Sequence, residues 1–258
     1  MHTAREDSPG ERRIRGSWPL GWRDLCLLVA VTAILIAVTS AVGLVLVEVF
    51  DGSALLEADE RIAKDLEEAR TSTWNSLSLI GSWLSETLSK VVVTAIVCVF
   101  LLVKTRRWLE ALVVSIPLVV EAIAFVVSTA IVGRPRPDVV QLDESPVSSS
   151  FPSGHVAAAV AYSAMVVVLF AMTSSRFWRT FAVIVAILVP PIVAAARMYR
   201  GMHHLTDVVA GILLGIASVI LTLAVVLRAG ERRGQTLGEH ERPREVPARP
   251  NPTLEVAT

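Results

Sequence analysis

The sequence has little of two features that would assign it to a common class of soluble protein. It has only two cysteines, Cys26 and Cys98, and no net charge, because 24 Lys and Arg residues balance 24 Asp and Glu residues. The two cysteines lie far apart inside apolar runs, where cysteine packs as a small hydrophobic residue. They indicate neither a disulfide framework nor a zinc site. The balanced charge gives no basic surface for nucleic acid.

Apolar residues dominate the chain instead. Hydrophobic residues make up 53% of its 258 residues and charged residues only 19%. The first long apolar run, 25–47, is long enough to cross about 30 Å of hydrocarbon as a helix, and it is too long for a typical cleaved signal core. Six such runs are predicted to span a membrane: 25–47, 85–103, 108–132, 156–172, 177–195 and 205–227.

Six spans predict an all-α integral membrane bundle over residues 25–228, with both termini on the same side. Basic residues flank alternate ends of the runs, and the positive-inside rule places those ends in the cytoplasm. The expected location of the protein is the plasma or inner membrane. The tails 1–24 and 229–258 are predicted to be cytoplasmic and disordered. The orientation signal comes from Arg12, Arg13, Arg15, Arg23, Lys104, Arg106, Arg107, Arg176, Arg179, Arg228, Arg232 and Arg233.

The connection 51–84 faces outward in this topology. It is rich in Asp and Glu, and the spacing of Leu55, Ile62 and Leu66 is typical of a helix. The pattern predicts a loop helix that serves as a lid, lies at the membrane interface or is simply solvated. Lys90, near the outward end of the second run, is expected to extend toward the interface.

The remaining outward connections are short and rich in reactive side chains. The orientation rule depletes this side of basic residues, so their presence here indicates an anionic ligand. The residues concerned are Arg134, Arg136, His155, Arg197, Arg200, His203, His204 and Asp207.

Two of these connections suit a phosphate group. In 133–137, prolines restrain the backbone around Arg134 and Arg136, and two guanidinium groups can capture phosphate oxygens in a bidentate manner. In 151–155, Ser153 is a plausible helix cap, and Gly154 lets the backbone approach an anion at a helix N-terminus. His155 is then expected in the first helical turn, facing that anion.

The third connection pairs a histidine with a carboxylate. His203 and Asp207 are four residues apart, so they share a helix face if the helix begins by His203. The carboxylate can then hold one ring nitrogen and leave the other as a nucleophile. In the alternative interpretation, Asp207 lies at a helix start because the helix dipole favours a negative charge there.

Together, the three connections resemble the type 2 phosphatidic acid phosphatase superfamily of membrane phosphatases. Its pattern is Lys-x6-Arg-Pro, then Pro-Ser-Gly-His, then Ser-Arg-x5-His-x3-Asp. The chain matches 136–137 in the first motif, 152–155 throughout the second, and Arg197, His203 and Asp207 in the third. The resemblance implies a six-span phosphatase that needs no metal or other cofactor. Its implied substrate is a lipid phosphate or a polyprenyl diphosphate, such as undecaprenyl diphosphate, at the outer membrane face.

The resemblance also implies a role for each matching residue. His203 attacks phosphorus to form a phosphohistidine, Asp207 orients His203, and His155 protonates the leaving oxygen. The residues implied to bind the phosphoryl group are Arg136, Arg197, Ser153 and Gly154.

Two positions depart from the family pattern. The lysine of the first motif is Thr129 here, and the serine of the third is Ala196. Arg134 is one candidate to replace the lost cation as a phosphate-binding residue. An altered substrate, a slower enzyme, and a descendant that binds lipid phosphate without catalysis are the other interpretations. We expect an active enzyme because all three catalytic residues remain.

Other functions fit parts of this pattern. A lipid phosphotransferase would pass the phosphoryl group to an alcohol instead of water. A transporter would line a path with the basic residues, although their position at the outward ends argues against it. A metal enzyme would use His155, His203, His204 and Asp207 as ligands. The sequence selects neither the lipid nor the oligomeric state.

Three residues inside the spans have expected roles in packing. Glu121 is costly in mid-span and is expected to face the bundle interior, either as a polar contact below the site or as a protonated packing group. Gly211 and Gly215 are four residues apart, which predicts close helix packing.

Overall fold

The computed structural model describes residues 18–83, 87–144, 148–171, 173–235 and 237. The described residues form eight helices and no strand, which agrees with the predicted all-α class. The helices are α1 (Trp22–Glu48), α2 (Ala54–Glu68), α3 (Ser72–Trp83), α4 (Thr87–Thr105), α5 (Trp108–Val132), α6 (Gly154–Ala171), α7 (Arg176–Tyr199) and α8 (Leu205–Glu231).

Among the described residues, five helices are long and apolar enough to cross a membrane: α1, α5, α6, α7 and α8. α4 covers most of the second predicted span, but that span starts at 85–86, outside the described residues. The predicted total of six spans therefore stays a prediction. The predicted bounds 108–132 agree with those of α5, because a polar turn limits the apolar run at each end.

The helical domain extends beyond the predicted bounds of 25–228. α1 begins at Trp22 and α8 continues to Glu231. Arg232 forms an ion pair with Asp24, and Arg233 Nη1 donates to the Trp18 carbonyl oxygen at 2.8 Å. These contacts join the start of α1 to the end of α8. The predicted disorder of the tails concerns mainly 1–17 and 238–258, which lie outside the described residues.

Small residues bring α6 and α8 into close contact. A Cβ atom added to Gly211 would lie 2.5 Å from the Ser153 carbonyl oxygen, and one added to Gly215 would lie 2.5 Å from the Ala157 carbonyl oxygen. The close packing predicted for both glycines is confirmed. It holds the start of α6 directly against the first turns of α8.

The connection 51–84 contains two helices, α2 and α3, instead of one. α2 is fixed to the neighbouring loops by polar contacts. The Glu67 carboxylate accepts from the Val140 N–H at 2.7 Å, and Arg70 Nε donates to the Tyr199 carbonyl oxygen at 3.2 Å. α2 is therefore held against the end of the bundle at which α5 and α7 finish and α6 and α8 begin.

Candidate active site

Backbone hydrogen bonds bring the three predicted motifs together at this end of the bundle. The Ser150 N–H donates to the Arg134 carbonyl oxygen at 2.8 Å, and the Ser153 N–H donates to the Asp207 carbonyl oxygen at 3.0 Å. The first bond joins the first motif to the second, and the second bond joins the second motif to the third. The predicted site residues are thus gathered from loops that are far apart in sequence.

His203 lies in the loop before α8, in a buried position. Its Nδ1 atom is 2.7 Å from the Ser150 carbonyl oxygen. A carbonyl oxygen only accepts hydrogen bonds, so Nδ1 carries the proton and the lone pair is on Nε2. Burial and, after it, the positive charge of Arg197 lower the pKa of His203, and with the opposing effect of Asp207 the pKa is about 3. The ring is therefore neutral at physiological pH.

The predicted hydrogen bond between Asp207 and His203 is not formed in the described structure. α8 begins at Leu205, so His203 is not on the first helical turn. The Asp207 carboxylate caps the helix instead: it accepts from the His204 N–H at 2.8 Å and lies 3.2 Å from His204 Nδ1. A carboxylate in the first turn satisfies free N–H groups and opposes the helix dipole. Asp207 still interacts electrostatically with His203.

Arg134 lies between two buried carboxylates. Its Nη1 atom is 2.5 Å from Asp207 Oδ1, and its Nη2 atom is 3.0 Å from Asp59 Oδ2. Its side chain is only 5% exposed. The guanidinium group that was a candidate to replace the missing lysine thus binds carboxylates of the protein itself.

Arg136 is half-buried and lies in the same loop as Arg134. Its Nη1 atom donates to the Met202 carbonyl oxygen at 2.5 Å, and Nη2 donates to the Ser149 carbonyl oxygen at 3.3 Å. Burial lowers the pKa of Arg136, and the Asp207 carboxylate opposes this change. Arg136 interacts electrostatically with His203. Its charge therefore acts beside the neutral imidazole.

Arg197, near the end of α7, is buried and held by Asp143. The Arg197 Nη1 atom lies 2.7 Å from Asp143 Oδ2 and 2.7 Å from Ser82 Oγ. Arg200 binds the same carboxylate through Nε at 2.8 Å and Nη2 at 2.6 Å. Burial raises the pKa of Asp143, but the Arg200 hydrogen bond and the Arg197 charge outweigh burial and lower it overall. Asp143 therefore fixes Arg197 in place as a carboxylate.

The start of α6 presents a buried hydroxyl group. Ser153 is fully buried, and its Oγ atom has no hydrogen-bond partner among the described residues. The expected capping bond is therefore not formed there. A Cβ atom added to Gly154 would lie 2.7 Å from the Phe125 ring of α5, and Thr129 is one helical turn beyond Phe125 on the same face. The position of the missing lysine thus faces the start of α6.

His155 is in the first turn of α6, as predicted, and interacts electrostatically with Arg197, Lys90, His203 and Arg136. The two candidate catalytic histidines thus share one positive environment.

Lys90 contributes to that environment from α4, and it also interacts electrostatically with Glu121. Its side chain is half-buried. Thr94 and Val97, four and seven residues after Lys90, line a cavity of about 840 Å³ between α4 and α6. Helical spacing therefore places Lys90 on the face of α4 that looks into the bundle.

Four contributors to the site were missed from the sequence: Asp59, Lys90, Asp143 and the Ser150 carbonyl oxygen. A signal existed for Asp59, because it lies four residues after Leu55 and three before Ile62, on the apolar face of α2. A carboxylate on such a face needs a buried partner. Asp143 and Ser150 act through long-range contacts that no local pattern indicates.

A second cavity, of about 1320 Å³, opens between α2 and the loop that follows α5. Its walls include Arg136, Glu60 and His204. It reaches the site from the side of His204, whose Nε2 atom lies 3.3 Å from the Glu60 carboxylate. Within the described part of the chain, no group of three or more His, Cys, Asp or Glu side chains is placed to hold a metal ion.

The described motifs are those of one known family. Residues 109–231 match the family model of the PAP2 superfamily. This part of the chain belongs to the PAP2 superfamily. The structure is similar to the crystal structure of the first transmembrane PAP2 type phosphatidylglycerolphosphate phosphatase from Bacillus subtilis, with a TM-score of 0.61 and 22% sequence identity. The match covers 79% of this chain and 96% of that one. A comparison with curated proteins gave no match.

The family match over residues 109–231 confirms the resemblance inferred from the motifs, and the structural likeness shows the shared fold. With its apolar helices, the chain is a multi-pass membrane protein. The region matched to the PAP2 superfamily begins at residue 109. Asp59 and Lys90 precede this region. The family match therefore says nothing about them, and their place in the site is known only from the structure.

Proposed function

We propose that the protein is a membrane phosphatase that hydrolyses a lipid phosphate or polyprenyl diphosphate through a phosphohistidine on His203. One observation carries this proposal: the Ser150 carbonyl oxygen, 2.7 Å from Nδ1, fixes the tautomer that has its lone pair on Nε2. An unprotonated imidazole nitrogen beside arginines is a suitable nucleophile for a phosphoryl group.

The phosphate cradle has two kinds of groups. Arg136 and Arg197 supply positive charge that acts on His203. The buried Ser153 hydroxyl and the Gly154 N–H, at the start of α6, supply neutral donors where a helix N-terminus favours an anion. Phosphoryl transfer depends mainly on positioning and on neutralising the equatorial oxygens.

Lys90 completes the charge of this cradle. The family's lysine position on α5 is Thr129, which has a buried hydroxyl group with no partner among the described residues. Lys90 on α4 interacts electrostatically with His155 and provides a cation at the same site. Lys90 also interacts electrostatically with Glu121, and a phosphate group bound at the site would be a second anionic partner for it.

The first chemical step transfers the phosphoryl group to the enzyme. His203 Nε2 donates its lone pair to phosphorus, the bond between phosphorus and the leaving oxygen breaks, and His155 gives that oxygen a proton. The bound phosphate offsets the charges of Arg136, Arg197 and Lys90 around His155, which acts as the general acid in this step.

The second step releases inorganic phosphate. A water molecule attacks phosphorus, His155 accepts its proton, and the bond between phosphorus and Nε2 breaks. Both histidines then have their starting protonation states, and the net reaction is hydrolysis. No step needs a metal ion, since arginines and a lysine neutralise the phosphoryl charge.

The position of the site supports a lipid substrate and an outward-facing site. The motifs lie at one end of the helices, and the basic residues at the other end favour a cytoplasmic position for that other end by the positive-inside rule. The site then faces outward, at the depth of lipid headgroups. Lipid phosphates and polyprenyl diphosphates present their phosphates at this depth.

The test is phosphate release by the purified full-length protein in detergent with a chelator. Phosphatidic acid, phosphatidylglycerol phosphate and undecaprenyl diphosphate are compared as substrates. His203→Gln is the inactive variant, and His240→Gln, in the C-terminal tail, is the matched control. We expect chelator-resistant release from at least one substrate, lost in His203→Gln and retained in His240→Gln.

Three other outcomes would contradict parts of the proposal. Release that a chelator abolishes would support the metal enzyme. A phosphorylated alcohol that forms when an acceptor alcohol is added, with little free phosphate, would support the phosphotransferase. Binding of the lipids by folded protein without phosphate release would support a lipid-phosphate binder. Such a binder would have lost its activity because Thr129 replaces the family's lysine.

A further inference from the structure

α2 places a carboxylate inside the active site. Asp59 is only 3% exposed. Its Oδ2 atom accepts from Arg134 Nη2 at 3.0 Å and from the Thr206 hydroxyl, and its Oδ1 atom accepts from the Thr206 N–H at 3.2 Å. Asp59 therefore binds the first turn of α8 and the first motif at the same time.

Arg134 connects Asp59 to Asp207. Its Nη1 atom is 2.5 Å from Asp207 Oδ1 and 2.6 Å from the Thr206 hydroxyl. The two carboxylates and one guanidinium group form a buried trio with a net charge of −1. Removing one partner of a buried ion pair leaves an uncompensated charge and is strongly destabilising. A change in one member of the trio is therefore expected to alter the position of the other two.

Asp207 connects the trio to the proposed nucleophile, because its carboxylate accepts at 2.8 Å from the N–H of His204, the residue that follows His203. Asp207 is the negative charge that acts on His203, where it opposes the positive charge of Arg197. Without Asp59, Arg134 would direct its whole charge to Asp207 and weaken the effect of that carboxylate on His203. With Asp59 in place, the charge of Arg134 is shared between two acceptors.

We propose that Asp59 is a positioning residue that acts through Arg134 to fix the Asp207 carboxylate beside His203, which makes α2 a part of the active site. This inference rests on the proposed function, because it assigns Asp59 to the same phosphoryl transfer. It differs from the lid and solvated-helix interpretations of this connection.

α2 has other contacts that would keep it docked in a variant at Asp59. Glu67 accepts from the Val140 N–H at 2.7 Å, and Arg70, in the turn directly after α2, donates to the Val140 carbonyl oxygen at 2.7 Å. Glu60 lies 3.3 Å from His204 Nε2. Asp59→Asn keeps the size of the side chain and removes its charge, so it tests the relay and leaves these contacts intact.

The experiment compares Asp59→Asn with Asp65→Asn, an exposed carboxylate on the same helix. A small misplacement of a catalytic group lowers a rate by roughly 10- to 100-fold. We expect Asp59→Asn to lower kcat at least about tenfold with KM within about twofold, because the effect concerns the reacting histidine and not substrate binding. Asp65→Asn should match the wild type.

A double-mutant cycle tests whether Asp59 acts through Arg134. In an Arg134→Gln background, the further change Asp59→Asn should have little additional effect on kcat, because residues in one network are not additive. Fully additive losses would overturn the relay. So would unchanged kcat in a folded Asp59→Asn variant, including one with a lowered Tm, since a structural role alone would lower stability without slowing turnover.

The His203 ring provides a readout that does not require turnover. In a sample with ¹⁵N-labelled histidine, Asp59→Asn should shift the His203 ring resonances, and Asp65→Asn should leave them in place. If no substrate is hydrolysed but this shift is seen, the proposed function fails and the relay stands. If substrate is hydrolysed and neither kcat nor the resonances change, the relay fails and the proposed function stands.

Discussion

The Nδ1 atom of His203 lies 2.7 Å from the carbonyl oxygen of Ser150. This contact fixes a neutral imidazole with its proton on Nδ1 and its lone pair on Nε2. Many active sites hold a histidine in this way with a carboxylate. Here a backbone carbonyl oxygen holds the ring, and Asp207 caps α8 and acts on His203 through its charge.

The lowered pKa of His203 predicts that its ring stays neutral in mildly acidic solution. Burial and the Arg197 charge both disfavour the imidazolium form and lower the pKa of His203 to about 3. The ring should therefore stay neutral from pH 8 down to pH 5, whereas a histidine in the unfolded chain gains a proton near pH 6.5. Ring ¹⁵N chemical shifts, assigned by comparison with His203→Gln, measure this directly. An imidazolium signal for His203 at pH 5.5 would contradict the prediction.

Replacing Lys90 should weaken substrate binding, and a lysine at position 129 should restore part of it. Lys90→Met should raise KM about tenfold, equivalent to roughly 1.4 kcal/mol, because one cation of the phosphate cradle is lost. Lys90→Arg should retain most of the affinity. The matched control is Lys104→Met at the other end of α4, which should leave KM unchanged.

The repair of this defect uses the position of the family's lysine. Thr129 lies one turn from Phe125, whose ring contacts the start of α6. Thr129→Lys in the Lys90→Met background should recover at least part of the lost affinity. Equal KM values for wild type and Lys90→Met would exclude Lys90 from the cradle.

The ionised Asp143 carboxylate should stabilise the fold near neutral pH and lose this effect in acid. The Arg200 hydrogen bond and the Arg197 charge outweigh burial and lower the pKa of Asp143. Its stabilising effect should therefore be present above about pH 4 and be lost as the pH falls through the lowered pKa. Thermal unfolding of wild type and Asp143→Asn should show a higher Tm for wild type at pH 7 and a smaller difference at pH 3. A difference that grows in acid would contradict this.

Replacing Gly211 with alanine should disturb the packing of α8 against the start of α6. A Cβ atom at this position would lie 2.5 Å from the Ser153 carbonyl oxygen, which is backbone and cannot move aside cheaply. Gly211→Ala should reduce stability by about 1–3 kcal/mol and should lower activity, because Ser153 and Gly154 shift with it. Gly21→Ala is the control, since its nearest atom would be 3.6 Å away. Equal Tm values for the two variants would refute the close contact.

The sequence predicted the helices well where a single physical constraint determined them. The length of an apolar run sets the length of a membrane helix, and the predicted run 108–132 agrees with α5. The two helices in 51–84 were predicted as one, because the turn at 69–71 is short and polar like the helices beside it. The helical domain was predicted too short because Arg232 and Arg233 make contacts that only the folded chain provides.

The candidate site was predicted in composition but not in its internal contacts. Motif spacing identified His155, His203 and Asp207, and the structure gathers all three at one end of the bundle. The start of α8 at Leu205 decided which histidine Asp207 contacts, and helix ends are difficult to predict within two residues. The contacts of Arg134 with Asp59 depend on residues 75 positions apart.

The most direct test of the central claim is to trap the phosphoryl group on His203. His155→Gln slows the hydrolysis of the intermediate, and an aryl phosphate substrate has a leaving group that needs no proton from His155. After an alkaline quench, the account predicts an acid-labile phosphoryl group on the peptide that contains His203, and none in the His155→Gln/His203→Gln variant. Phosphate release without this modification, or the same modification on another residue, would contradict the account.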